Sequence, residues 1–362
     1  MSLTFSSTIL CLFICLGCCG NLPAARMEPD VTPETRALFE RLNTLRPDYL
    51  LFGHQHTTEY GIGWKAVDTE DSDVKRTTGE FPSMYGWDFF DPKSTTQERG
   101  GTSMHAHILA AHNRGGINTI CWHAPNPVTG GSFYDTTAAV PALLPGGEKH
   151  EAFKNDLDTI ATFLHDLRDP SGTLIPIIFR PWHEHNGNWF WWGTPHHCTP
   201  DEFATLWCFT VDYLRKEKEA HNLLFAWSPN WSLKDEYFLG YPGDAYVDIF
   251  GYDLYVPSLA LFLPALRKLV ERAEERGKIP ALTEIGYPNG LSKCTREKPF
   301  TEDLLVPLRD DPTAKRVAWI LLWRNGSEDH LWVPPPEHVY AEDFRTFYAD
   351  SFTLFGDVLH IQ

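Results

Sequence analysis

The chain has 362 residues; 43% are apolar and 22% charged, which excludes a disordered polypeptide. Its 48 acidic and 31 basic side chains leave a formal charge of −17, which argues against a nucleic-acid or anionic-membrane partner. Thirteen tryptophans supply large flat rings that either pack a core or stack on sugars, and the acidic charge favours sugars over nucleic acid.

The first twenty residues, MSLTFSSTILCLFICLGCCG, contain no charged side chain. The apolar run from Phe5 to Leu16 is too short to span a bilayer and fits the apolar part of an export signal. Leu16-Gly17-Cys18-Cys19 resembles a bacterial lipoprotein processing site. The expectation is therefore a leader over residues 1–20, a lipid anchor on Cys18 or Cys19, and one folded domain over 21–362. The expected location is outside the cytoplasm, in the periplasm or as an outer-membrane or cell-surface lipoprotein. Four cysteines remain beyond the leader: Cys121, Cys198, Cys208 and Cys294. They form no CxxC pair, and Thr199-Pro200-Asp201-Glu202 reads as a helix start that carries Cys208 away from Cys198, so free thiols are expected.

From there, strand-like and helix-like runs alternate. Strands are expected near 49–53, 83–89, 119–124, 175–183, 223–228, 248–255, 280–285 and 316–323. Helices are expected near 33–45, 103–114, 151–168, 200–217 and 259–276, the last from the spacing of Leu259, Leu263, Leu266, Leu269 and Val270. The strand runs lack strict alternation, as strands covered on both faces do. Eight strands separated by helices predict an α/β fold, a (β/α)8 TIM barrel. The alternative, an open doubly wound sheet, usually has a glycine-rich turn after its first strand, where this chain has Leu51-Phe52-Gly53-His54-Gln55-His56.

Barrel chemistry sits at the C-terminal strand ends. Those ends carry His54 and His56, Trp87 and Asp88, Trp122 and His123, Arg180 through Glu184, Asp253 and Tyr255, Glu284, and Trp323. A pair of carboxylates facing one another can hydrolyse a glycosidic bond, one donating a proton and the other attacking the anomeric carbon or activating water. The fourth and seventh strand ends lie across a barrel mouth, so Glu184 and Glu284 can face each other. The bland readings are that Glu184 pairs with Arg180 four residues earlier, and that Glu284 pairs with a buried cation. At least one of Trp189, Trp191 and Trp192 should be core packing, and Cys121 is read as packing.

The run Arg180-Pro-Trp-His-Glu184-His-Asn-Gly-Asn-Trp189-Phe-Trp-Trp-Gly resembles the acid/base signature of glycoside hydrolase family 26, mostly β-mannanases on a (β/α)8 barrel. The resemblance extends to Trp122-His123-Ala-Pro-Asn126, Gly251-Tyr-Asp253-Leu-Tyr255, Thr283-Glu284-Ile-Gly286 and Leu322-Trp323. It implies a retaining β-1,4-mannanase with Glu184 as acid/base and Glu284 as nucleophile. It also implies that His123, His183, Trp189, Asp253, Tyr255 and Trp323 shape the subsite of the attacked mannose. Adjacent residues of a regular strand point oppositely, so the strand is expected to end before His183 and Glu184, or His183 to support its neighbours.

The implied partner is a β-mannan or its oligosaccharides, either linear or decorated as galactomannan or glucomannan; no cofactor and no metal is expected, and no protein partner can be inferred. Cutting within the chain and release of mannobiose from an end stay open, because they depend on loop walls expected over 54–82, 124–150 and 286–315. The residues also admit two other readings. One is a metal-dependent barrel hydrolase using His54 and His56, with His183 and His185 as further ligands. The other is a non-catalytic mannan-binding protein on the same barrel.

Overall fold

A computed structural model describes residues 30–90 and 103–360. The expected leader, with Cys18 and Cys19, and residues 91–102 lie outside the described residues. Eight strands build the sheet: β1 (Leu50–Gln55), β2 (Met84–Asp88), β3 (Ile117–Cys121), β4 (Ile177–Arg180), β5 (Leu223–Trp227), β6 (Ile249–Tyr255), β7 (Ile279–Gly286) and β8 (Trp319–Leu322). Each runs parallel to its neighbours in chain order, and β8 pairs back onto β1, with Leu51 opposite Trp319. The sheet therefore closes into the expected barrel.

All eight expected strands are present. The fourth stops at Arg180 rather than at 183, because the chain turns into left-handed backbone at Trp182 (φ 52°) and Glu184 (φ 51°). The eighth begins at Trp319 because a tight helical turn over Ala314–Arg316 precedes it. Two features carried no clear signal in the sequence. A small hairpin pairs Tyr60–Gly61 with Trp64–Lys65, and a two-residue strand, Thr353–Leu354, lies beside the start of β1.

The principal helices are α1 (Pro33–Leu45), α2 (Asp73–Thr78), α3 (Met104–Asn113), α4 (His150–Asp166), α5 (Pro200–Asp212), α6 (Leu263–Glu275) and α7 (Ala341–Ala349). The start of α5 is set by a capping box. The Thr199 hydroxyl accepts from Glu202 N at 3.2 Å, and the Thr199 amide donates to Glu202 Oε2 at 2.8 Å. The expected helix over 200–217 is α-helical to Asp212 and finishes in a π-helical turn, Tyr213–Glu217. The four described cysteines are free thiols; Cys121 and Cys198 are buried, Cys208 and Cys294 half-buried.

Side-chain alternation sorts the strands into two faces. Leu51, Met84, Ile117, Ile178, Leu224, Ile249 and Trp319 pack together inside the barrel, and Leu38, Phe39 and Leu42 of α1 close its base. Their strand neighbours Phe52, Tyr85, Ile120, Phe179, Phe225, Phe250 and Ile320 face the helices. Burial of each such side chain is worth about 1.5–3 kcal/mol. The same alternation continued upward aims Asp88, Arg180 and Asp253 into the mouth of the barrel.

Strand β7 breaks the alternation where it matters. Tyr252 and Asp253 of β6 lie opposite Leu282 and Glu284, and Ile320 and Leu322 of β8 lie opposite Leu282 and Ile285. Both neighbours thus register one extra residue on β7, a bulge at Thr283–Glu284. Consequently two consecutive side chains, Thr283 and Glu284, turn to the barrel interior, while Leu282 and Ile285 both join the outer core. Gly251 makes room for the bulge, since a Cβ there would collide with the Thr283 hydroxyl.

Candidate active site

A cavity of about 460 Å³ opens at the C-terminal end of the barrel. It is lined by His123, His183, Glu184, Tyr255, Glu284 and Trp323 among the residues expected from the sequence. Five different strand ends contribute them, and the left-handed turns after β4 bring His183 and Glu184 to the same cavity. Trp189 reaches the site through its indole, whose Nε1 donates to Glu184 Oε2 at 2.8 Å. Asp253 does not line the cavity; it is fully buried below it.

Glu284 is held from two sides. The Tyr255 hydroxyl donates to Glu284 Oε2 at 2.8 Å, and Arg180 Nη2 forms an ion pair with Glu284 Oε1. The other guanidinium nitrogen, Nη1, pairs with Asp253 Oδ2 at 2.7 Å. Asp253 Oδ1 accepts in turn from Ser228 Oγ at 2.7 Å and Thr283 Oγ1 at 2.9 Å. One buried guanidinium thus serves two buried carboxylates, and hydroxyls from β7 and from the end of β5 fill the remaining lone pairs. Burial disfavours the Arg180 charge, but Asp253 and Glu284 outweigh it and hold the guanidinium charged. Burial, followed by the charge of Glu284, keeps the Tyr255 phenol protonated far above its ordinary range. The bland reading of Glu284 as partner of a buried cation is therefore correct as geometry, and Arg180 aligns one of its oxygens while the other faces Tyr255.

Glu184 is treated differently. Both of its oxygens accept from neutral donors, Trp189 Nε1 at 2.8 Å and Asn230 Nδ2 at 3.0 Å. It makes no ion pair with Arg180, whose two nitrogens go to Asp253 and Glu284. Enclosure of its carboxyl, and then the negative charge of Glu284, push its pKa up to about 7. Two carboxyl groups in one cavity thus have different surroundings: Glu284 is clamped by a cation, and Glu184 is free to hold a proton near neutral pH.

His123 and His183 form a second unit. Asp88 Oδ2 takes a 2.5 Å hydrogen bond from His123 Nδ1, and the Nε2 atoms of His123 and His183 lie 3.2 Å apart. Burial and the nearby Arg180 charge hold His183 neutral, well below its usual range. Trp191 and Trp192 are buried packing, as one or more of the three tryptophans had to be; their indoles donate to Ala124 O and His183 O, each at 2.8 Å.

The four histidines of the metal reading do not gather. His54 Nδ1 bonds the Thr57 hydroxyl at 3.0 Å, and His56 pairs with Glu59. His185 is sandwiched between Phe203 and Trp227 with Nε2 on Leu239 O at 3.0 Å. Burial pushes His54 and His185 down to about 3. Among the described residues, the group able to converge on an ion is Asp88, Cys121 and His123. There the imidazole already holds a proton against Asp88, and burial keeps the Cys121 thiol protonated.

Several site residues carried no separate signal in the sequence. Asn230 and Ser228 follow β5 in a run, Ser-Pro-Asn, without any motif. Arg180 stands at a strand end, and its pairing with Glu184 was only the bland reading; its partners are Glu284 and Asp253. Tyr134 and Phe190, stacked with centroids 5.6 Å apart, form one wall. His330 and Trp332, from the loop after β8, form part of another, and that loop lies outside the three segments expected to build walls. Of those segments, 124–150 supplies Tyr134 and 286–315 supplies Pro288 and Asn289, while 54–82 contributes no lining residue.

Against known proteins, the model of Glycosyl hydrolase family 26 matches residues 27–292. A mannan endo-1,4-β-mannosidase of Bifidobacterium adolescentis is 39% identical over 352 residues, covering 90% of this chain and 34% of the relative. One from Thermothelomyces thermophilus is 29% identical, covering 72% of this chain and 52% of its own length. The chain thus spans about a third to a half of these curated relatives. Among solved structures, a modular endo-β-1,4-mannanase from Cellulomonas fimi shares 40% identity with a TM-score of 0.86, covering 94% of this chain and 78% of that one. A family 26 β-mannanase from Bacteroides ovatus shares 34% identity with a TM-score of 0.82, covering 91% and 98%. Sequence match and superposition agree on the same barrel, and the chain belongs to glycoside hydrolase family 26.

Proposed function

We propose that this chain is a retaining β-1,4-mannanase in which Glu284 is the nucleophile and Glu184 the general acid/base. The observation that carries the reading is the division between the two carboxyls: Glu284 fixed by Arg180 and Tyr255, Glu184 raised to about 7 beside it. Glu284 attacks C1 of a β-mannosyl unit, the C1–O4 bond breaks, and the Glu184 proton passes to the departing O4. Water then attacks C1 of the glycosyl-enzyme, Glu184 takes its proton, and Glu284 leaves as carboxylate. A carboxylate clamped by a cation suits the first role, and an acid with a pKa near 7 suits the second.

Around the attacked sugar, His123, His183, Trp189, Tyr255 and Trp323 supply polar edges and aromatic faces, and Asp253 acts from below through Arg180. The substrate is a β-1,4-mannan, with cutting inside the chain favoured because the relatives named above are mannan endo-1,4-β-mannosidases. The test is a timed chromatographic profile on linear mannan and mannopentaose. A spread of lengths narrowing with time supports internal cutting; mannobiose alone from the first points replaces it with end-wise release. Binding without cleavage overturns the enzyme reading in favour of a mannan-binding protein.

Export belongs to the same proposal: residues 1–20 act as the leader of a single catalytic barrel over 21–362, with a lipid on Cys18 or Cys19. Among the described residues no helix is long and apolar enough to cross a membrane. Replacement of both cysteines by serine should release the protein from the membrane fraction; unchanged fractionation rules out the anchor.

A further inference from the structure

The carboxyl of Glu184 is held by a residue from a different part of the barrel, and that residue is itself gripped. Asn230, three positions beyond β5, donates from Nδ2 to Glu184 Oε1 at 3.0 Å. Its backbone N donates to Asn186 Oδ1 at 2.8 Å, and its backbone O accepts from Asn186 Nδ2 at 2.7 Å. The amide of Asn186 therefore satisfies both peptide groups of Asn230, in the way a neighbouring strand would. On its other side Asn230 forms a bridge with Asp253 of β6.

Glu184 and Asn186 occupy one turn, closed by Gly187 N donating to Glu184 O at 2.9 Å. The three residues make a ring: the turn that presents the carboxyl also fixes the donor that holds it. Because both donors to Glu184, Asn230 and Trp189, are neutral, they set the direction of the carboxyl without cancelling its charge. A cation in the same place would trap the ionised form and spoil a proton donor.

Resting on the mannanase reading, we propose that Asn186 and Asn230 are a positioning pair for the acid/base: Asn186 locks Asn230, and Asn230 orients the Glu184 carboxyl and supports its ionised form. A donated hydrogen bond favours the carboxylate, so its loss makes Glu184 hold its proton to higher pH.

The experiment compares Asn230→Ala and Asn186→Ala with wild type in kcat and KM against pH on mannopentaose, on an aryl mannoside with a good leaving group, and by carbon NMR titration of the Glu184 carboxyl. In Asn230→Ala the alkaline limb and the carboxyl titration both move up by about 0.5–1 pH unit. In Asn186→Ala they move the same way by less. On mannopentaose kcat falls about tenfold or more with KM little changed, and the aryl mannoside is affected less. Uniform loss at every pH with the limb unmoved, or a shift to lower pH, overturns the proposal. Asn230→Ser, too short to reach the carboxyl, is read by the same criteria if the alanine variant does not fold. A wild-type chain that fails to turn over mannan defeats the mannanase reading instead, and the NMR titration still reports whether Asn230 acts on Glu184.

Discussion

Tyr255 and Glu284 lie on adjacent strands, and the phenol hydroxyl donates to Glu284 Oε2 at 2.8 Å while Arg180 occupies the opposite oxygen. The bulge in β7 creates this pairing, because regular alternation would send either Thr283 or Glu284 toward the helices. A hydrogen bond to a charged group is worth about 1.5–3 kcal/mol. Tyr255→Phe should therefore lower kcat/KM on mannan roughly 10- to 100-fold. Steady-state kinetics with the melting temperature as control checks it; an unchanged kcat/KM would show that Arg180 alone aligns Glu284.

Among the described residues Arg180 is the cation paired with both Asp253 and Glu284, and all three are nearly inaccessible. Arg180→Met leaves two buried carboxylates uncompensated, and breaking such a pair costs about 3–5 kcal/mol. The expected result of denaturant unfolding at pH 7 is a loss of that size. It should shrink at acid pH, where protonation of the carboxyls removes the unpaired charge.

The raised pKa of Glu184 fixes two signs. In the proposed mechanism activity on mannan needs Glu184 protonated, so kcat/KM should fall as pH rises through about 7. Stability follows the same direction. A carboxyl whose folded pKa lies above its unfolded value favours folding in its protonated form, and that contribution fades as pH rises from the unfolded toward the folded pKa. Glu184→Gln should thus gain stability relative to wild type at pH 8 and gain less at pH 5, as thermal unfolding at both values would reveal. Glu184→Ala should lose most activity on mannan and spare aryl mannosides with good leaving groups.

Gly286 sits where β7 meets the wall from the loop after β8. A Cβ at this position would collide with the Trp332 ring, which packs edge-on against Tyr255 at 5.9 Å between centroids. Gly286→Ala should displace Trp332 and narrow or distort the cavity. The expected outcome is a several-fold rise in KM for mannopentaose with the fold retained; an unaltered KM would place the sugar away from this wall.

Dialysis against a strong chelator should leave turnover unchanged, since His54, His56, His183 and His185 each go to a separate partner. Loss of activity restored by an added divalent ion would revive the metal reading, with Asp88, Cys121 and His123 as the place to look.

The barrel was legible because its signal is local and repeated: eight apolar runs, several of them separated by helix-like segments, with functional residues gathered at the same end of seven of them. Glu184 and Glu284 were legible for the same reason, at opposite strand ends within recognisable stretches. Relations that depend on register were not. No sequence period reports a bulge, so the inward turn of both Thr283 and Glu284 could not be read. The left-handed backbone at Trp182 and Glu184 falls on residues that rarely adopt it, which is why strand four was drawn through to His183. The partners of Arg180 were not readable, because a spacing of four suggests Glu184 as a neighbour, whereas the barrel brings residues 73 and 104 positions away within reach. Asn230 was invisible because its importance lies in a tertiary hydrogen bond 46 residues distant.

The most direct test of the account is to trap the glycosyl-enzyme. Incubation with an activated 2-deoxy-2-fluoro-β-mannoside, proteolysis and mass spectrometry locates the residue bonded to C1. The account predicts a single fluoromannosyl adduct on Glu284, absent in Glu284→Ala. An adduct on another residue, or hydrolysis of mannan with inverted anomeric configuration, would contradict it.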